Sequence, residues 1–402
     1  MGTVPGSGPA AAITAVRGPI PVDAVRDVLA AETLLRAPEV VRGNAGLPAS
    51  DAEFQRAPVT IGILGRLLMG AENIEDRTLG EAEAAAALAR FRAATAPGAP
   101  TAATATAVPA DGPEGGAVRL VAALAGRGST ATGAALARLS AETGIAVVRG
   151  VDGLPCAADA SSGDAAVEDP ESVGLRILDA LHAAEYPAGV VGAIPVSAPT
   201  SGDASAGPSA RRRARLRAAA EAARQGGAAL VLDLASSGAD RAPGPATSTR
   251  DAADRALADA LAAVDAAGLP RARTVLAGVA THVAASTGVD ADRFAALLDL
   301  GTALCFDDLG RIPNVRTAVS DHDVALAILR AAERGAQDRI LLSVGIRNRH
   351  RLTAFGGNGL EFTVEQFVPY LGMLGADTAL QRAVGGANAA RILARTAPEE
   401  PR

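Results

Sequence analysis

Short runs of β-branched and aliphatic residues recur along this chain, each of strand length: 118–124, 145–149, 189–196, 229–234, 274–278, 302–306 and 339–344. Runs with no polar alternation are expected of strands buried on both faces. Between them lie longer stretches with helical spacing, rich in Ala, Leu, Arg and Glu, at 79–95, 132–143, 173–184, 212–225, 251–267 and 323–334. Strands alternating with helices predict an α/β fold with a parallel sheet. A further strand over 28–34 brings the count to eight, which favours a closed (β/α)8 TIM barrel over an open doubly wound sheet.

Three segments break the rhythm: 96–116, 198–210 and 236–249 are biased toward Pro, Gly, Ser, Thr and Ala. They bury too little apolar surface to offset ordering and are expected as loops. The second and third follow strands directly, so they belong on the carboxyl face where barrel enzymes keep their sites. The first precedes a strand and belongs on the opposite face. A chain of 402 residues accommodates one barrel of roughly 250 residues with such insertions.

Composition narrows the function. A net charge of -6 counts against a nucleic-acid partner, whose phosphates call for a basic surface. The basic tract 211–217 runs into a helical stretch and reads as a solvated helix start. No long uncharged apolar run suggests a membrane span, and the amino terminus lacks the basic start of a secretory signal, so a soluble cytoplasmic protein is expected. Cys156 and Cys305, far apart and flanked by apolar residues, read as buried free thiols. Aromatics make up 2% and Trp is absent, so a site built on aromatic stacking is not expected.

Several segments, taken in order, carry a family resemblance. AVRGPIPVDAVRDVLAAETLL at 15–35 resembles the opening of phosphotriesterase-like proteins of the amidohydrolase superfamily, where a Gly-Pro-Ile segment leads into a first strand ending in His-Glu-His-Leu. ILLSVGIRN followed by FGGNGLEFTVEQFVPYLGMLGAD resembles the family's last strand, Gly-Gly segment and closing helices, and GGANAARILA its C-terminal Asn-Pro-Ala-Arg segment with Ala389 in place of Pro. AETGIAVVRG, EYPAGVVGAIPVS and LCFDDLGRIP fall between in the family's order. The resemblance implies a single barrel over 14–395, with flexible termini at 1–13 and 396–402. By family analogy it also implies a homodimer.

The resemblance further implies two divalent metals at the carboxyl end of the barrel, with a bridging hydroxide as nucleophile. Its ligands are two His from the first strand, a carboxylated Lys or a Glu from the fourth, a His from each of the fifth and sixth, and an Asp from the eighth. Carried over, the first-strand pair falls on Ala31 and Thr33, with Glu32 between them as in the family. The fourth-strand ligand falls on Gly192 or Ala193, the fifth on Asp233, the sixth on Gly278 and the eighth on Gly345, which follows Val344. Of these only Asp233 is able to coordinate a metal.

The four His give little help. His182 and His322 sit on or beside helices, while His282 and His350 follow the sixth and eighth strands and are candidates to overhang the mouth. No His-x-His, Cys-x-x-Cys or His-Glu-x-x-His arrangement occurs. The candidate pocket is therefore Glu32, Asp233, His282, Asp307 and Arg347, able to take a cationic or mixed-charge small molecule. Two readings stay open. One is a pseudoenzyme, a barrel with a binding or scaffold role and no cofactor. The other is an active hydrolase of phosphotriesters, lactones or esters using Asp233, His282 and other acids around one divalent metal such as zinc.

Overall fold

The structure, a computed structural model, describes residues 11–38, 49–96, 117–126, 128–154, 168–196, 208–234, 247–314 and 317–396. Cys156 and most of the three low-complexity segments lie outside these residues. Helices already begin at Pro208 and Thr247, inside the tails of the second and third segments.

Eight parallel strands form one sheet in chain order: Val25–Glu32, Val118–Ala123, Ala146–Val151, Ala188–Pro195, Ala229–Asp233, Thr274–Ala277, Ala303–Phe306 and Ile340–Leu342. Consecutive strands pair throughout, with helices such as Glu81–Ala93, Gly133–Thr143, Pro170–Leu181 and Asp321–Glu333 between them. The sheet curls until its first and last strands meet: the Ala31 amide donates to Ser343 Oγ at 3.0 Å. This is the nearly closed (β/α)8 barrel the apolar runs predict.

Two-residue alternation sorts each strand. Val28, Leu120, Val148, Val190, Val231, Val275 and Leu341 pack together in the lumen with Ala30, Ala122, Ala229, Ala277, Ala303 and Cys305. Their neighbours Leu29, Val121, Val147, Leu230, Leu276, Leu304 and Ile340 face the helices and belong to the larger outer core. The lumen cluster mixes small Ala with branched Val and Leu and holds no aromatic ring, while the outer core adds Phe91, Phe294, Phe306 and Phe367 to its aliphatic side chains. Continuing the same alternation past Val231, Cys305 and Leu341 turns Asp233, Asp307 and Ser343 toward the axis at the carboxyl end.

The first strand begins three residues before the sequence-based expectation and ends two earlier. Its start is hidden in sequence by Arg26 and Asp27, which look like loop residues. In the fold Asp27 accepts from Arg119 Nε at 2.8 Å, and the pair is carried at the strand's entry. Its end is cut by Thr33 and Leu34, which leave the ladder to line a small apolar cavity with Leu79, Ala84, Ile346 and Leu352.

The amino end of the barrel is capped by a hairpin, Ala12–Ala15 with Gly18–Pro21, whose Ile13 joins the lumen cluster. The C-terminal residues close the same end, with the Arg395 amide donating to the Ala12 carbonyl at 2.9 Å. Arg273 ties it further, donating to the carbonyls of Gly227, Ile392 and Ala394. Among the described residues no helix is long and apolar enough to cross a membrane.

Candidate functional site

Glu32 ends the first strand with its side chain 1% exposed. Oε1 accepts from Ser343 Oγ at 2.6 Å and from the amides of Val344 at 2.8 Å and Gly345 at 2.9 Å, and Oε2 accepts from the Ile346 amide at 2.9 Å. One carboxylate therefore satisfies three consecutive backbone donors past the eighth strand. Burial pushes the Glu32 carboxyl above its ordinary range, against the opposing pull of the Ser343 hydroxyl and these amides.

Asp307 follows the seventh strand and is also buried. Its Oδ1 accepts from the Gly278 amide, just past the sixth strand, at 2.6 Å. Its Oδ2 lies 3.7 Å from the Arg347 guanidinium, which descends from the loop after the eighth strand. The Arg347 carbonyl in turn accepts from Arg36 at 3.1 Å. Asp233 is buried at the inward end of the fifth strand, and its carbonyl accepts from the Val196 amide at 2.8 Å.

His282 is turned away from this group. It closes the short helix Val279–His282, with Nε2 3.2 Å from Asp254 Oδ1 on the outer helix Thr247–Ala266 and 3.2 Å from Arg293 on Ala291–Asp299. Burial and the Arg293 charge lower its pKa, against the pull of Asp254. His182 is exposed at a helix end, and His322 meets the Tyr370 hydroxyl at 2.7 Å. The fold thus gathers Asp307 and Arg347 at the mouth, sets Glu32 into the seam beside them, places Asp233 across the lumen and leaves His282 among the helices.

Three features of the rim escape sequence reasoning. Ser343 is visible only through the alternation 341, 343 once the strand is fixed. His350 docks on Asp76, whose carboxylate lies 2.8 Å from His350 Nδ1 and also accepts from the His350 amide and Asn348 Nδ2. No spacing pattern links positions 76 and 350. Asp321, at the start of Asp321–Glu333, accepts from the Gly310 amide, and burial raises its pKa to about 6.

The sequence profile of the Phosphotriesterase family matches residues 117–384. The chain belongs to the phosphotriesterase family. Solved phosphotriesterase-like structures share its fold. A resiniferatoxin-binding protein from Rhodobacter sphaeroides is 24% identical, covers 95% of each chain and superposes with a TM-score of 0.70. A lactonase from Listeria monocytogenes is 14% identical over 96% of this chain and 100% of its own, with a TM-score of 0.63. The phosphotriesterase homology protein from Escherichia coli is 17% identical over 92% of this chain and 99% of its own, with a TM-score of 0.59. No protein of curated function matches the chain in sequence.

The residues present do not fit the metal pair that a phosphotriesterase centre implies. The chain contains no lysine, so a bridging carboxylated Lys has no residue to form on. Ala31 and Ala193 lie in the apolar lumen cluster, and Thr33 lines the apolar cavity. Gly345 has φ +63°, and a Cβ there would stand 1.8 Å from the Asp307 carbonyl oxygen. Gly192 has φ +116°, and its Cβ would stand 2.4 Å from the Val231 carbonyl oxygen. Gly278, φ +78°, presents its amide to Asp307 where the family presents a His side chain. Among the described residues no group of three or more His, Cys, Asp or Glu is placed to hold a metal ion.

Proposed function

We propose that this chain is a catalytically degenerate phosphotriesterase-family barrel that binds a small molecule at its mouth. The observation that carries the reading is the packing at Gly345. An eighth-strand ligand is absent from the sequence, and the backbone has also closed over the space its side chain needs. The neighbouring acids are likewise committed, Glu32 to three amides and Asp307 to the Gly278 amide. Fold alone assigns no chemistry, and a site that has lost its ligand side chains retains concavity and charge.

The ligand class follows from what faces the mouth. Asp233 and Asp307 supply negative charge and Arg347, one quarter exposed, supplies positive charge. A mixed-charge metabolite matches that pattern better than a neutral ester. The relative described as a resiniferatoxin-binding protein supports small-molecule binding in a fold of this kind.

The test uses the purified full chain. Elemental analysis should return no stoichiometric metal after growth with added zinc or manganese, and no phosphotriester, lactone or ester should turn over. A thermal-shift panel of zwitterionic metabolites should give at least one saturable rise. About one metal per chain together with chelator-sensitive lactone or ester hydrolysis would establish the mononuclear hydrolase reading instead.

A further inference from the structure

We infer that the carboxyl rim of this barrel is locked by two of its own carboxylates, Glu32 and Asp307, in the place where the family gathers metal ions. The misfit described above explains what is missing. The rim geometry explains what has replaced it as the tie between strands.

The seam between the first and eighth strands is the weak point of the sheet. Every other neighbouring pair is joined by a backbone ladder, while the sheet order ends at these two strands. The bonds that cross their carboxyl ends run through side chains: Ala31 amide to Ser343 Oγ, Ser343 Oγ to Glu32, and the amides of residues 344, 345 and 346 to Glu32. Buried amides left without an acceptor are costly, and an ionised acceptor gives the stronger bond. Four donors converging on one carboxylate also offset its own desolvation. The first barrel strand is thereby fastened to the eighth by two side chains, Glu32 and Ser343.

Asp307 performs the corresponding work on the next strands. Its carboxylate joins the Gly278 amide after the sixth strand to the Arg347 guanidinium after the eighth. Arg347 supplies the positive charge that a metal cation would bring to a lumen carboxylate. Its loop is anchored separately, because the Arg349 amide donates to the Asp76 carbonyl at 2.7 Å. The lock excludes the metal arrangement sterically as well. With Asp307 seated, its carbonyl oxygen occupies the space of any Cβ at Gly345.

The inference holds whether or not the mouth binds a ligand, so a failed metabolite screen leaves it standing. Its test is thermal unfolding of the full chain with and without EDTA, and with zinc or manganese added, for wild type, E32Q and D307N. Hydrogen exchange at the amides of 344–346 is measured in parallel. We expect a Tm indifferent to chelator and metal, a fall on the order of 5 °C in each variant, and 344–346 amides in wild type as slow as those of the strand Ile340–Leu342. If a variant does not fold, exchange in the wild type decides. Fast exchange at 344–346, a Tm lowered by EDTA, or an E32Q protein with unchanged Tm and unchanged exchange would each overturn the lock.

Discussion

Gly345 and Asp307 meet backbone to backbone: a Cβ built on Gly345 would lie 1.8 Å from the Asp307 carbonyl oxygen, and Gly345 has φ +63°. Both conditions exclude a side chain, one by strain and one by collision. G345A and G345D should therefore destabilise the protein by on the order of 3 kcal/mol or more. G345D should also fail to recruit zinc, although it restores the residue type of the family's eighth-strand ligand. Chemical denaturation and elemental analysis of G345D decide this. A stoichiometric metal with wild-type stability would sink the account.

The barrel was legible because its strands are uninterrupted aliphatic runs. The seven runs from 118 to 344 each coincide with an observed strand to within a few residues. The first strand was the least clear, since Arg26 and Asp27 read as loop until Arg119 appears opposite them. At the site, residue identities alone set Ala, Thr and Gly at most of the family's ligand positions, but they do not tell what the remaining acids do. Glu32 and Asp307 read as pocket residues, and a single sequence does not reveal that backbone amides also take their carboxylates as acceptors. His282 looked like a mouth residue because its position after the sixth strand is right. A short helix then turns its ring toward Asp254 and Arg293. The Asp76–His350 contact, like the Glu32–Ser343 bond, spans most of the chain and has no local signature.

Arg119 should be among the least replaceable residues away from the mouth. Its buried guanidinium donates to Asp27 at 2.8 Å and to the carbonyls of Phe91, Arg92 and Ala94 at the end of the helix Glu81–Ala93. An ammonium lacks the planar fork that serves a carboxylate and several carbonyls at once. R119K should lose about 2–4 kcal/mol by urea denaturation, chiefly from the buried carbonyls of Phe91, Arg92 and Ala94 left without a donor, since Asp27 keeps its pair with Arg26. A loss below about 0.5 kcal/mol would mean that the guanidinium contributes only packing.

Asp321 makes stability fall as pH rises. Burial lifts its folded pKa to about 6, with the Asp308 charge adding to the rise and the Gly310 amide and Arg351 opposing it, against 3.8 in the unfolded chain. A folded pKa above the unfolded one means that the native state holds the proton more tightly. The associated stability is present below the unfolded value and is lost as pH climbs through about 6. D321N still offers an acceptor to the Gly310 amide and carries no charge. It should match wild type at acid pH and exceed it by about 3 kcal/mol at neutral and alkaline pH. Urea midpoints across that range would show the difference, and parallel pH profiles for the two proteins would refute it.

Asp76 has the opposite sign. Burial alone would raise its carboxyl, but the His350 imidazole, through its hydrogen bond and its charge, outweighs that rise together with the His350 amide and Asn348. The folded pKa therefore lies below the ordinary 3.8. Stability from this cluster is complete above the unfolded value and is lost as pH falls through the folded one. The cluster pins the loop after the eighth strand to the segment before Glu81–Ala93, so its loss should be local before it is global. D76N should cost about 1–3 kcal/mol at neutral pH and converge with wild type in strong acid. Amide exchange at residues 348–352 should rise in D76N while the strand Ala303–Phe306 stays protected. Equal protection of that loop in both proteins at neutral pH would show that Asp76 does not anchor it.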